Sequence, residues 1–196
     1  MNKFLIAVII LLAGCGPIKT HQANSDIALA KAHWESIALD SQFDVIRDKV
    51  PLNWEGKPSF DMLTNTSKPT EIERAAIREF AIKRLETDEM INAAAIKFGD
   101  QRVITILNSY HGILNGLVAQ LYNQQLTYSE FGKQFYQAIN DGNLATQNVS
   151  VQNAEAARQA YQSYQMTQQT NNQRQLINNM NKPITCNRVG NYTYCN

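Results

Sequence analysis

The feature that most restricts the fold is an apolar spacing in the middle of the chain. Val103, Leu107, Tyr110, Leu114, Leu117 and Leu121 follow one another at intervals of 4, 3, 4, 3 and 4. At 3.6 residues per turn these side chains share one helix face for about five turns. Ile104, Ile106, Ile113 and Val118 broaden that face. A helix apolar over so wide an arc must be covered by other elements, so the spacing predicts the central helix of a bundle.

The flanking sequence supplies the covering helices. Ile27, Ala30, Trp34, Ile37 and Ala38 form a stripe on a first helix expected from Asp26 to about Leu39, capped by Ser25 or Asp26. A short helical segment around 43–48 is stopped by Pro51. Residues 51–69 hold Pro51, Pro58 and Pro69 among Trp54, Phe60, Met62 and Leu63, a loop with apolar anchors and one helical turn at Phe60–Thr64. Thr70-Glu71-Ile72-Glu73 reads as a capping box that opens a helix to about Phe98. Its buried side is expected to carry Ile72, Ala76, Phe80, Ile82 and Leu85, and Gly99-Asp100 to break it. Thr127-Tyr128-Ser129-Glu130 is a second capping box, for a helix with Phe131, Phe135, Tyr136 and Ile139 that Asp141-Gly142-Asn143 ends or bends.

Residues 143–182 differ in composition. They are rich in Gln and Asn, are charged only at Glu155, Arg158, Arg174 and the terminal Lys182, and contain no Pro or Gly after Gly142. The pattern predicts a long, thinly anchored helix that either continues through Thr167–Gln175 or frays there. Pro183 stops it. Gly190-Asn191 then suits a two-residue hairpin turn, with Gly able to take the positive φ of a type II′ turn. Counting outward pairs Val189 with Tyr192, Arg188 with Thr193, Asn187 with Tyr194 and Cys186 with Cys195. That last pair is non-hydrogen-bonded, which brings its Cα atoms to about 4.5 Å, within disulfide range. The fold class expected is all-α: an irregular helical bundle (26–142), a long amide-rich helix (143–182) and a small disulfide-closed β-hairpin (183–196).

The N-terminus carries an address. Lys3 precedes a nine-residue apolar run, Phe4–Leu12, too short for the roughly 20 residues that span a bilayer and laid out as an export signal. The next residues, Leu12-Ala13-Gly14-Cys15, resemble the lipobox of bacterial lipoproteins. The resemblance implies cleavage after Gly14 and lipid on the Cys15 thiol, so that 1–14 is a signal peptide and two or three acyl chains give stable membrane attachment. Gly16, where an Asp would signal retention at the inner membrane, points to the outer membrane, facing the periplasm. Residues 15–25 read as a polar tether. With Cys15 assigned, Cys186 and Cys195 remain, an even pair in an exported chain. The tail also resembles the Cys-bracketed ends of other exported bacterial proteins. The body is similar to exported helical proteins of proteobacteria, through Trp34, Phe43–Leu52, Met62-Leu63 and Pro69–Glu73; that likeness implies no reaction.

Charge excludes further classes. The chain has 18 basic and 17 acidic residues; removing Lys3 with the signal leaves 17 of each. A neutral chain has no electrostatic case for nucleic acid. The histidines are His21, His33 and His111. No HExxH pair, metal-spaced His/Cys cluster, GxSxG elbow or P-loop occurs, so no cofactor is expected. Ser109 and His111 point about 200° apart on a helix. An enzyme would have to assemble its site from separate helices, with His33, Glu35, His111 and the Glu86, Asp88, Glu89 cluster as its candidates. Trp34 and Trp54 would line a pocket or fill the core. The reading these observations favour is a non-catalytic, membrane-tethered envelope protein that binds an envelope partner or associates with itself. The alternatives are an envelope hydrolase and a carrier of a small apolar ligand.

Overall fold

The computed structural model describes residues 17–180 and 186–195. The signal segment 1–14, the lipobox residue Cys15 and the helix-stopping Pro183 lie outside them. The elements are α1 (Pro17–Leu39), a 3₁₀ turn (Ser41–Ile46), α2 (Phe60–Thr64), α3 (Glu71–Phe98), α4 (Gln101–Tyr122), α5 (Tyr128–Met180), β1 (Cys186–Val189) and β2 (Tyr192–Cys195). The all-α class holds, with one small antiparallel hairpin. Contacts divide the chain into two units, Met1–Gln152 and Asn153–Asn196.

In the first unit, α3 packs against α1, the 3₁₀ turn and α4, and α4 buries its apolar face. Val103, Leu107, Leu114, Leu117 and Leu121 are all buried, joined by His111 and Val118. The main core gathers Trp34 and Ile37 of α1, Phe43 and Ile46 of the 3₁₀ turn, Ile77 and Phe80 of α3, and Phe131, Phe135 and Ile139 of α5. Trp34 and Phe43 both meet Phe80 edge to face, with centroids 5.8 and 6.3 Å apart. Burying each of these rings contributes about 1.5–3 kcal/mol. A second cluster joins Ala30, Ile91, Ala95, Leu107 and Val149.

Both capping boxes form. Thr70 accepts from the Glu73 amide while Glu73 accepts from the Thr70 amide, and Thr127 and Glu130 repeat the exchange. Gly99 closes α3 and Asp100 caps α4, its carboxylate accepting from the Arg102 amide at 2.9 Å. The helical turn expected at Phe60–Thr64 is α2, capped by Ser59.

Several expectations need correction. Phe60 and Ile113, expected as a loop anchor and on the covered face of α4, are 77 and 54 % exposed. The first helix begins at Pro17 rather than Asp26, so most of the polar tether 15–25 is helical. Proline suits a first helical turn, and Ala23 and Ile27 pack on Ala94 and Phe98. Ser25 and Asp26 are therefore interior, not caps. On α3, Ile72, Ile82 and Leu85 are 73, 41 and 45 % exposed. The buried stripe instead runs Glu73, Ala76, Ile77, Phe80, Arg84, Thr87, Asp88, Ile91, intervals of 3, 1, 3, 4, 3, 1 and 3 that keep one helix face and cross charged residues. Finally, Asp141-Gly142-Asn143 neither ends nor interrupts α5. Gly142 lies against Tyr110, where an added Cβ would come within 2.9 Å of the ring. Its missing side chain makes room for a neighbouring helix. Packing thus continues beyond 142, to buried Thr146, Val149 and Ser150.

In the second unit, residues 154–178 are helical and exposed throughout, including Thr167–Gln175. Tyr161, Tyr164, Met166, Leu176 and Ile177 are all more than half exposed. The side-chain hydrogen bonds here are local: Gln168 donates to the Tyr164 hydroxyl, and Thr167 and Thr170 to carbonyls one turn back. The hairpin register is the expected one, Cys186 opposite Cys195 and Val189 opposite Tyr192. Gly190 has φ +64°, the sign a type II′ turn requires at that residue.

Candidate functional site

The shift of the α3 stripe has a direct consequence, since it turns Arg84, Thr87 and Asp88 inward toward α4. Arg84 is 1 % exposed. Its guanidinium donates to Asp88 Oδ2 at 2.9 Å and to Asn115 Oδ1 at 2.5 Å, and lies 5.9 Å from the centre of the Phe135 ring. Asp88 Oδ1 faces His111 Nε2 at 3.3 Å. His111 is 6 % exposed, and its Nδ1 is buried with no hydrogen-bond partner. Two charges, an amide and an imidazole thus form one chain inside an apolar bundle.

Burial sets the electrostatics of this chain. It pushes the Asp88 carboxyl up to about 6, against the pull of Arg84. It brings His111 down to about 4, with the Arg84 charge acting in the same direction. The Tyr110 hydroxyl is raised by burial. Near pH 7 the site therefore holds an ionised Arg84–Asp88 pair beside a neutral imidazole.

Arg84, Thr87, Asp88, Tyr110, His111 and Phe135 line a cavity of about 330 Å³, with Trp34, Trp54, Glu55, Gly56, Tyr136, Asn140 and Asn143 among the others. The 53–57 loop forms one wall. The Gly56 amide donates to the Asn53 carbonyl at 2.9 Å. The Asn53 side chain accepts from the Lys57 amide and donates to the Lys57 carbonyl. Gly56 has φ +59°, and a Cβ there would run into Ile139, so only glycine lets the loop close on α5. Trp34 Nε1 donates to the Leu52 carbonyl at 2.7 Å. That bond ties the loop to α1 and sets Trp34 and Trp54 edge to face, 6.2 Å apart and 80° inclined. Glu55 and Asn140 are exposed and form the rim.

Of the residues singled out from the sequence, Trp34, Trp54, Asp88 and His111 come together here. The others do not line the cavity. His33 Nδ1 lies 2.8 Å from Thr87 Oγ1, and its Nε2 lies 3.4 Å from Glu86. Glu35 pairs with Lys31 on the surface of α1, and Glu89 is exposed. Ser109 lines a separate groove with Ile113 and Ala138, in keeping with its angular offset from His111. Sequence reading missed Arg84, Tyr110, Asn115, Glu55 and Asn143. Extending the spacing Ala76, Phe80 by four reaches Arg84 and then Asp88, which was the available signal.

The arrangement can bind a small molecule between aromatic walls and a polar floor, and it can hold or accept a proton at His111. Among the described residues, no group of three His, Cys, Asp or Glu side chains is placed to hold a metal ion, and no helix is long and apolar enough to cross a membrane. Searches against protein-family models, curated proteins and solved structures find no match to this chain.

Proposed function

We propose that the chain is a lipid-anchored protein of the bacterial cell envelope, held through Cys15 at the outer membrane and facing the periplasm, whose bundle binds a small molecule without transforming it. The observation that carries the binding role is the cavity. A bundle core ordinarily closes to crystal-like density. Here it leaves ligand-sized space edged by convergent polar groups, the usual character of a small-molecule site. The lipobox and the paired cysteines support the location. The exposed amide-rich helix of the second unit supports an additional partner-binding or self-associating role.

Both tryptophans of the chain line the cavity, so selectively excited tryptophan fluorescence reports on it. A screen of small metabolites against the full chain should yield a saturable fluorescence change that Trp54→Leu removes. A screen with no saturable change, together with native mass spectra free of any co-purified compound, would overturn the binding role. Mass spectrometry of the mature N-terminus tests the anchor: diacylglyceryl on Cys15 is expected, and an unmodified amine there would refute it. We further infer a Cys186–Cys195 disulfide, supported by their opposed register. Thiol labelling of the denatured, non-reduced protein should modify neither residue.

The second reading is hydrolysis, with His111 as a base oriented by Asp88. The 3.3 Å contact between them favours it. A compound found in the fluorescence screen decides between the two: recovered unchanged it is a ligand, and recovered cleaved by wild type but not by His111→Gln it is a substrate.

A further inference from the structure

We propose that the cavity takes a small organic cation, with a quaternary or alkylated ammonium group as the recognised part. This deepens the binding role proposed above and rests on it. Trp34, Trp54, Tyr110, Phe135 and Tyr136 all line the space. The two indoles stand nearly perpendicular, 80° apart, so they form adjacent walls of a box rather than a slot for one flat ring. Aromatic walls attract a cation through the negative faces of their π systems, most strongly where water is excluded.

Charge points the same way. The ionised side chains on the lining are Arg84, Asp88 and Glu55. Arg84 is satisfied by Asp88 and by Asn115, so that pair cancels. Glu55 is exposed at the rim and has no ion-pair partner among the described residues. The cavity thus carries one uncompensated negative charge. An anion would gain little from Arg84, whose carboxylate partner already occupies it, and would meet Asp88 and Glu55. A neutral molecule would leave the Glu55 charge unused. An alkylammonium ion answers both features, its methyl groups against the rings and its charge opposite Glu55.

The test uses three probes on the full chain, read by the fluorescence of the two tryptophans and by calorimetry: choline, its uncharged isostere 3,3-dimethyl-1-butanol, and acetate. Choline and the butanol have the same shape and differ in charge. Choline is expected to bind about tenfold more tightly than the butanol, and acetate not to bind. Glu55→Gln, at an exposed position, should weaken choline severalfold and leave the butanol unchanged. Equal binding of choline and the butanol, or tighter binding of the butanol or of acetate, overturns the cation assignment and leaves the binding role standing. No binding of any probe, in a protein whose cavity responds to some other compound, overturns the assignment alone. Silence toward every compound overturns both.

Discussion

The two stretches of α5 make an instructive pair. Residues 128–152 and 153–180 belong to one helix, yet the first buries Tyr128, Phe131, Phe135, Ile139, Thr146 and Val149, while in the second residues 154–178 are exposed. One stretch is helical because an apolar stripe is covered. The other relies on propensity and one-turn hydrogen bonds, and its many Gln and Asn residues contribute little propensity beyond the neutral middle of the scale. The same secondary structure therefore rests on different physics, and function follows the difference. The packed stretch supplies Phe135, Tyr136, Ile139, Asn140 and Asn143 to the cavity. The exposed stretch offers a polar surface.

The contrast is broken most severely at Arg84. Arg84→Met strips Asp88 of its counter-charge and should lower the stability of the first unit by about 3–5 kcal/mol, the usual cost of orphaning one member of a buried pair. Pairing it with Asp88→Leu should recover most of that loss. Denaturation followed by tryptophan fluorescence measures both, and two additive losses would show that the pair does not act as a unit. Next in size, Phe135→Ala should remove about 3–5 kcal/mol, whereas Tyr164→Ala in the exposed stretch should stay within about 0.5 kcal/mol in the same fluorescence-monitored unfolding. A comparable loss from Tyr164 would mean that the exposed stretch is covered in solution.

Acidification probes the buried site of the first unit, where Asp88 of α3 faces His111 of α4. His111 titrates near 4 instead of 6.5, so its contribution is full above pH 6.5 and is lost as pH falls toward 4. Asp88 titrates near 6 instead of 3.8, so the folded state gains as pH falls through 6 toward 3.8. The two slopes oppose each other in one window, and wild-type stability should be nearly flat from pH 6.5 to 4. Asp88→Asn should make stability fall on acidification by on the order of 2–3 kcal/mol, and His111→Gln should make it rise by a similar amount. Slopes of the same sign in both variants would contradict the site's electrostatics. The smallest effect concerns glycine. Gly116 is exposed with nothing within 4 Å of an added Cβ, so Gly116→Ala should stabilise α4 by about 0.5–1 kcal/mol. Gly142→Ala drives a methyl into Tyr110 and should destabilise by about 1 kcal/mol once the propensity gain is subtracted. Thermal unfolding of the two variants gives opposite signs if Gly142 is a packing notch.

Much of this architecture could be read locally. Most of the α4 face, both capping boxes, the Gly99-Asp100 break, the turn at Phe60–Thr64 and the hairpin register each depend on residues a few positions apart and appear as expected, with Ile113 the exposed exception on α4. The candidate site was legible only in pieces. Trp34, Trp54, Asp88 and His111 stood out by residue type, but nothing in the spacing joined them, because they come from α1, a loop, α3 and α4. Arg84 was passed over because an apolar count prefers Ile82 and Leu85, which solvent covers instead. Gly142 was read as a terminator because helical glycine is usually costly, whereas here the close approach of Tyr110 decides its place.

By itself, the sequence determined where α2, α3, α4 and α5 begin under their caps and how the tail pairs, but not where α1 starts. Those are short-range matters of propensity, capping and turn geometry. Only the tertiary structure decided which face of α3 is buried, how far α5 stays packed, and that two indoles, an ion pair and an imidazole share one cavity. Burial is a property of what lies opposite: the Glu89 carboxylate faces solvent, while that of Asp88, one residue before it, is packed between Arg84 and His111.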